Sequence, residues 1–106
     1  MYLLTKRVLM AGKTPIPVAR SMRMIAENLD LARKQQRITV ALLAERANLS
    51  VPTVRRLLNE GAGTLENFLR VVRILGMLEG VEKATDPMTT PLGRARAEWD
   101  VGKRVR

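Results

Sequence analysis

The side chains of this sequence that could do chemistry gather in one stretch, Thr39-Val-Ala-Leu-Leu-Ala-Glu-Arg-Ala-Asn-Leu-Ser-Val-Pro-Thr-Val-Arg-Arg-Leu-Leu-Asn59. Its guanidinium, amide and hydroxyl groups are hydrogen-bonding groups. An arginine can hold a phosphate, or donate two bonds to O6 and N7 of a guanine. Catalysis has few carriers here. The sequence contains no His and no Cys, which removes the commonest general base, the thiolate nucleophile and the commonest transition-metal ligands. What remains is 10 scattered carboxylates and two serines, Ser21 and Ser50. This composition argues against an enzyme, and neither a cofactor nor a metal site is expected.

Charge points the same way. A formal net charge of +9 over 106 residues implies a polyanionic partner, with nucleic acid ahead of an anionic membrane. A membrane span needs about 18 consecutive apolar residues, and a surface helix needs aromatic anchors. Neither pattern is present. The run Met1 to Met10 is interrupted by Lys6 and Arg7 and is too short in its apolar part for a signal peptide, so it reads as mature protein. The lack of Cys agrees with a reducing cytoplasm, and a basic protein there is expected near the nucleoid. Residues 1–20 carry four basic and no acidic side chains, and 21–60 carry seven against four. Residues 61–85 balance at three and three, and 86–106 carry five basic and three acidic. The middle thus reads as neutral scaffold and the ends as arms.

The elements that must position the 39–59 stretch follow from periodicity and punctuation. Lys13-Thr-Pro-Ile-Pro17 is a breaker, separating an N-terminal arm, 1–17, from a domain over 18–84. Val18, Met22, Ile25, Leu29 and Ala32 form the predicted buried stripe of a first helix running to about Gln36. Thr39 caps a second helix with Val40, Leu43, Ala44 and Ala47 on one face, ending at Asn48, a residue tolerant of the left-handed conformation. Ser50 caps a third, with Pro52 in its first turn, Val54 and Leu57 facing inward, and an end near Asn59. Glu60-Gly-Ala-Gly63 is a loop. Thr64 caps a fourth helix whose stripe is Leu65, Phe68, Leu69, Val72 and Leu75, stopped by Gly76, and a short fifth helix spans 77–84. Phe68 is expected in the core. Beyond Asp86-Pro-Met-Thr-Thr-Pro91, residues 85–106 are expected to be a mobile basic tail with one short helical stretch around Leu92 to Trp99.

An ordinary helical hairpin shows the same stripes. It does not need a small Ala44 at the closest approach, an Asn48 able to take positive φ, and a fresh cap at Ser50 just beyond, which together suit two helices crossing over a short turn. These residues resemble the helix-turn-helix of the XRE, or lambda-repressor-like, regulators over roughly residues 21–84. The resemblance implies an all-α, five-helix DNA-binding domain. Glu60-Gly-Ala-Gly-Thr-Leu-Glu-Asn-Phe-Leu-Arg-Val-Val-Arg-Ile-Leu-Gly76 is similar to the stretch after the recognition helix in HipB-like regulators, and the basic ending from Pro91 is similar too. That subgroup implies a dimeric, autoregulating repressor within a toxin-antitoxin system, binding a near-palindromic operator. Two departures stand out: Val40 replaces the glutamine, and Asn48 the turn glycine, that many family members carry.

In such a family the third helix enters the major groove by its N-terminal residues, which implies a DNA-facing set of Val51, Pro52, Thr53, Arg55, Arg56 and Asn59, with Thr39 and Ser50 near phosphates. Arg56 is the first choice for a base reader and Arg55 for a phosphate contact, although either can be a solvated charge. Val51 and Pro52 offer thymine methyls only apolar contact. For a small footprint a homodimer is expected, with the arm (Leu3, Leu4, Val8, Leu9) and the fifth helix (Met77, Leu78, Val81) as dimer surface or as core closure. A reading from another class is an interaction protein that restrains a HipA-like kinase toxin, with DNA binding secondary. Trp99 fits either a partner anchor or a tail packing on its own bundle. An RNA-binding role ranks lower, because three aromatics leave little for base stacking.

Overall fold

The computed structural model describes residues 13–101, with only the backbone of Val101. Among the described residues six α-helices follow one another without a strand: α1 Ile16–Gln35, α2 Val40–Ala47, α3 Val51–Glu60, α4 Leu65–Ile74, α5 Leu78–Thr85 and α6 Pro91–Val101, with a 3-10 turn at Pro87–Thr89 before the last. None is long and apolar enough to cross a membrane. The expected dimer residues Leu3, Leu4, Val8 and Leu9, and the basic end 103–106, lie outside the described residues.

Punctuation works largely as the sequence predicts. The Oγ1 of Thr39 accepts from the Leu42 amide at 3.1 Å, the Oγ of Ser50 from Thr53 at 3.3 Å, and the Oγ1 of Thr64 from Asn67 at 3.1 Å. Each cap satisfies one of the amide donors that a helix start leaves orphaned. The breaker at 13–17 is shorter than expected. Pro15 is the cap residue, α1 begins at Ile16, and Pro17 lies inside its first turn, where a missing amide costs nothing. At the far end Arg37 adopts φ 56°, its amide donates to Lys34 O at 3.0 Å, and the Ile38 amide reaches Arg33 O at 3.1 Å. This closes α1 with the left-handed pair of bonds usually reserved for glycine or asparagine.

The core gathers Leu29, Ile38, Leu43, Ala44, Ala47, Val54, Leu57, Leu58, Val71, Val72 and Leu75. On α1 the buried residues are Ala26 and Leu29, while Val18 and Ile25 are 49% and 42% exposed, so the predicted stripe is rotated by about one position. Ala26 explains the rotation, because a methyl lets α3 approach α1 more closely than a bulkier side chain would. The two helices come into backbone contact at Gly61, the left-handed cap of α3 (φ 67°), where a β-carbon would overlap the carbonyl of Met22. The α4 stripe is also rotated. Leu65 is 70% exposed, Phe68 is half-buried rather than core, and Val71 joins Val72 and Leu75 inside. Two long-range bonds lock these helices: Gln36 Nε2 donates to Leu75 O at 2.9 Å, and Arg70 Nη1 to Ala47 O at 3.4 Å.

Helix α5 starts one residue later than predicted, and the helical stretch expected around Leu92 to Trp99 is present as α6, Pro91–Val101. Asp86 accepts from the Met88 amide at 2.9 Å and opens the 3-10 turn, and Thr90 Oγ1 accepts from Gly93 at 3.0 Å and caps the 11-residue α6. Pro87 and Pro91 each sit at a helical first turn, so the segment that read as broken is instead two consecutive helix starts. Gly93 matches this arrangement, since a β-carbon there would overlap the Pro87 carbonyl.

Candidate nucleic-acid interface

Helices α2 and α3 are joined by Asn48, Leu49 and Ser50. Asn48 takes φ 56° and ψ 48°, its amide donates to Glu45 O at 3.1 Å, and the Leu49 amide donates to Ala44 O at 2.9 Å. The carbonyls at the end of α2 are thereby satisfied within the turn, and Ser50 starts α3 at once. Ala44 is buried at 3% exposure, so α2 has only a methyl group there to hold α3 away. The two helices are set against one core made by Leu43, Ala47, Val54, Leu57 and Leu58.

This packing divides α3 into two faces. Val54, Leu57 and Leu58 point inward, and Val51 is half-buried against the same cluster. Pro52, Arg55, Arg56 and Asn59, spaced i, i+3, i+4 and i+7, are exposed on the opposite face. Of the residues predicted to face a nucleic acid, these four share one stripe. Val51 departs from that expectation, because its place one turn before Val54 commits it to the core side. Thr53 is half-buried, and its hydroxyl lies 2.7 Å from that of Ser50, so these two groups serve the start of the helix. Thr39 and Ser50 are exposed caps whose oxygens already accept an amide.

The two arginines differ electrostatically. Arg56 Nε lies 3.8 Å from Glu60 Oε2, an exposed i, i+4 pair of little strength. Among the described residues Arg55 has no carboxylate within 4.0 Å, so its full charge faces solvent. No acidic residue occupies the first turn of α2 or α3, and the positive ends of both helix dipoles stand unneutralised. Arg37, exposed two residues before Thr39, is a cation that sequence reasoning passed over. The signal was available: a helix running to Gln36 with a cap at Thr39 leaves only residue 37 to take positive φ, and an arginine there is conspicuous.

No family model, curated protein or solved structure matches the chain. The geometry therefore carries the functional reading alone. Among the described residues no group of three or more acidic, His or Cys side chains is placed to hold a metal. The Asp30 carboxyl is held below its ordinary range by hydrogen bonds from Lys34 and then Arg33, at 3.0 and 2.8 Å. It sits on α1, and Arg33 also donates to Ile38 O at 2.8 Å, so the group braces the end of that helix. Trp99, expected either as a partner anchor or as a tail residue packing on its own bundle, lies on α6 and is 63% exposed.

Proposed function

We propose that the protein binds double-stranded DNA sequence-specifically through a lambda-repressor-like helix-turn-helix formed by α2, the Asn48–Ser50 turn and α3. The observation that carries this reading is the exposed stripe of Pro52, Arg55, Arg56 and Asn59 on a helix whose other face is locked into the core. A rigid helix offering guanidinium and amide groups along one side fits a major groove, where arginine reads guanine and asparagine reads adenine. Phosphates would be held by Arg37, Arg46 and the open amide ends of α2 and α3, compensating for the apolar Val40. With one reading helix per chain, the working form would be a homodimer on a near-palindromic operator, acting as an autoregulating repressor of the HipB-like kind.

The test is binding of the full chain to duplex from its own upstream region and to random duplex across a salt series. Tighter binding to the upstream duplex, weakened by Arg55→Ala and Arg56→Ala, is expected. Equal affinity for both duplexes at every salt concentration would leave only charge attraction and refute sequence-specific reading.

A second reading is supported by α6, an 11-residue helix that presents Leu92 (58% exposed) and Trp99 on its surface. Aromatic and aliphatic side chains displayed this way suit a protein partner, such as a HipA-like kinase. Co-purification with the product of a neighbouring gene, abolished by Trp99→Ala, would favour it.

A further inference from the structure

An apolar groove runs along the side of the bundle formed by α1, α4 and α5, and the DNA-binding proposal makes no use of it. It consists of two adjoining hollows of about 220 and 310 Å³ that share Ile25, Leu29 and Phe68. Leu57 and Leu65 extend one hollow, and Met77 and Val81 the other. Phe68, the one phenylalanine of the chain, is its half-buried floor, and Ile25 stands exposed at its edge. Apolar surface of this continuity is normally covered in a soluble protein.

Val18, Met22, Ile25 and Leu29 follow one another at helical spacing along one side of α1, exposed at its Val18 end and buried at its Leu29 end. Val18 and Ile25 are exposed, Met22 is half-buried and Leu29 is 2% exposed. The exposed end of the stripe is the end at which residues 1–12 join the helix. From Ile16 to Leu29 the helix rises about 20 Å, whereas twelve residues of chain span up to about 40 Å when extended. The reach is ample. Those twelve residues hold two apolar clusters, Met1-Tyr-Leu-Leu4 and Val8-Leu-Met10, separated by the polar Thr5-Lys-Arg7. The sequence thus offers two apolar clusters where the groove has two hollows.

We infer that the groove is the seat of the chain's own N-terminal segment, which folds back along α1 and lays Leu3, Leu4, Val8 and Leu9 over Ile25 and Phe68. The tether favours the chain's own segment over a partner's, because the segment is held beside its site at high effective concentration. This inference is independent of the DNA-binding reading.

The chain has no cysteine, so Thr5→Cys gives one attachment point for a nitroxide label on the full-length protein. The expected result is loss of the backbone amide signals of Met22, Ile25, Leu29, Phe68 and Val81 by paramagnetic broadening. Helix α2, which contributes nothing to the groove, keeps its signals. Adding Ile25→Lys, at an exposed position that leaves the core intact, restores the lost signals. Undiminished groove signals in the labelled chain would overturn the inference, as would broadening that survives Ile25→Lys. In a mixture of labelled, isotopically silent chain and unlabelled, isotopically visible chain, no broadening is expected. Broadening there instead would assign the groove to the segment of a second copy and overturn the assignment to the chain's own.

Discussion

Gly61→Ala tests the contact on which the orientation of α3 depends, and Gly76→Ala provides its control. Both glycines have positive φ, 67° and 77°, so alanine at either adopts a left-handed conformation costing about 1–2 kcal/mol. Both replacements also restrict the unfolded chain equally. They differ in surroundings. Nothing lies within 4 Å of a β-carbon at Gly76, whereas at Gly61 it would overlap the Met22 carbonyl, with the Met22 Cα at 3.1 Å. Those atoms are backbone within a 20-residue helix and cannot swing aside as a side chain would. Parting α1 from α3 adds about 1–3 kcal/mol, as overpacking does elsewhere. Gly61→Ala should thus lose about 2–5 kcal/mol and Gly76→Ala about 1–2. At about 4–8 °C per kcal/mol for a domain of this size, the two melting temperatures should separate by roughly 5–20 °C. Thermal and urea unfolding followed by helical circular dichroism measure both. Equal losses would refute the close crossing of α1 and α3, and with it the argument that Ala26 and Gly61 set the pose of the reading helix.

Further outcomes follow from other residues. Arg37→Gly removes an arginine from the left-handed region and should raise stability by about 0.5–1 kcal/mol. If Arg37 holds phosphate, the same change should reduce the salt dependence of DNA binding, which a salt titration reads. Asp30→Asn should cost about 0.5–1 kcal/mol at neutral pH, since the carboxylate is partly exposed and its pairs with Lys34 and Arg33 are screened. Because Asp30 is held below its ordinary pKa, its contribution is present at neutral pH and disappears as pH falls through that lowered value. Urea midpoints of parent and variant should therefore converge in strong acid. Arg55→Ala and Arg56→Ala should each weaken specific binding by about 1–3 kcal/mol if they read bases, with little change in folding stability. The loss is expected to be greater for Arg55, since Arg56 must leave Glu60 to reach DNA.

Helix ends proved more legible in the sequence than helix faces. Thr39, Ser50, Thr64 and Asn48 act through bonds to residues two to four positions away, so local sequence contains nearly all the information that places them. The faces of α1 and α4 depend on which neighbour lies closest, and no periodicity distinguishes Ile25 from Ala26 or Leu65 from Val71 as the inward residue. The stripe on α3 was readable because Val54, Leu57 and Leu58 leave only one side for Arg55, Arg56 and Asn59. The helical stretch around Leu92 to Trp99 was legible, but its start at Pro91 and the 3-10 turn at Pro87–Thr89 were hidden by prolines, which break a helix in its interior but begin one at its first turn. The groove at Ile25 and Phe68 was beyond reach, because it joins three helices through residues that each look like ordinary core.

Arg37, Asn48 and Gly61 end α1, α2 and α3 in the same left-handed way. Each closure bonds residues within about six positions of one another, and at Asn48 and Gly61 the residue type itself favours it, whereas the left-handed backbone is costly for Arg37. The unfolded polypeptide is therefore already divided at Asn48 and Gly61 before any two pieces meet. A helix nucleated at Leu43 is stopped at Asn48 before it can absorb Val54. Chains built from such pre-cut segments have low contact order and refold rapidly. The protein should accordingly recover its helical signal from denaturant within milliseconds, with the meeting of α1 and α3 at Gly61 as the slower event.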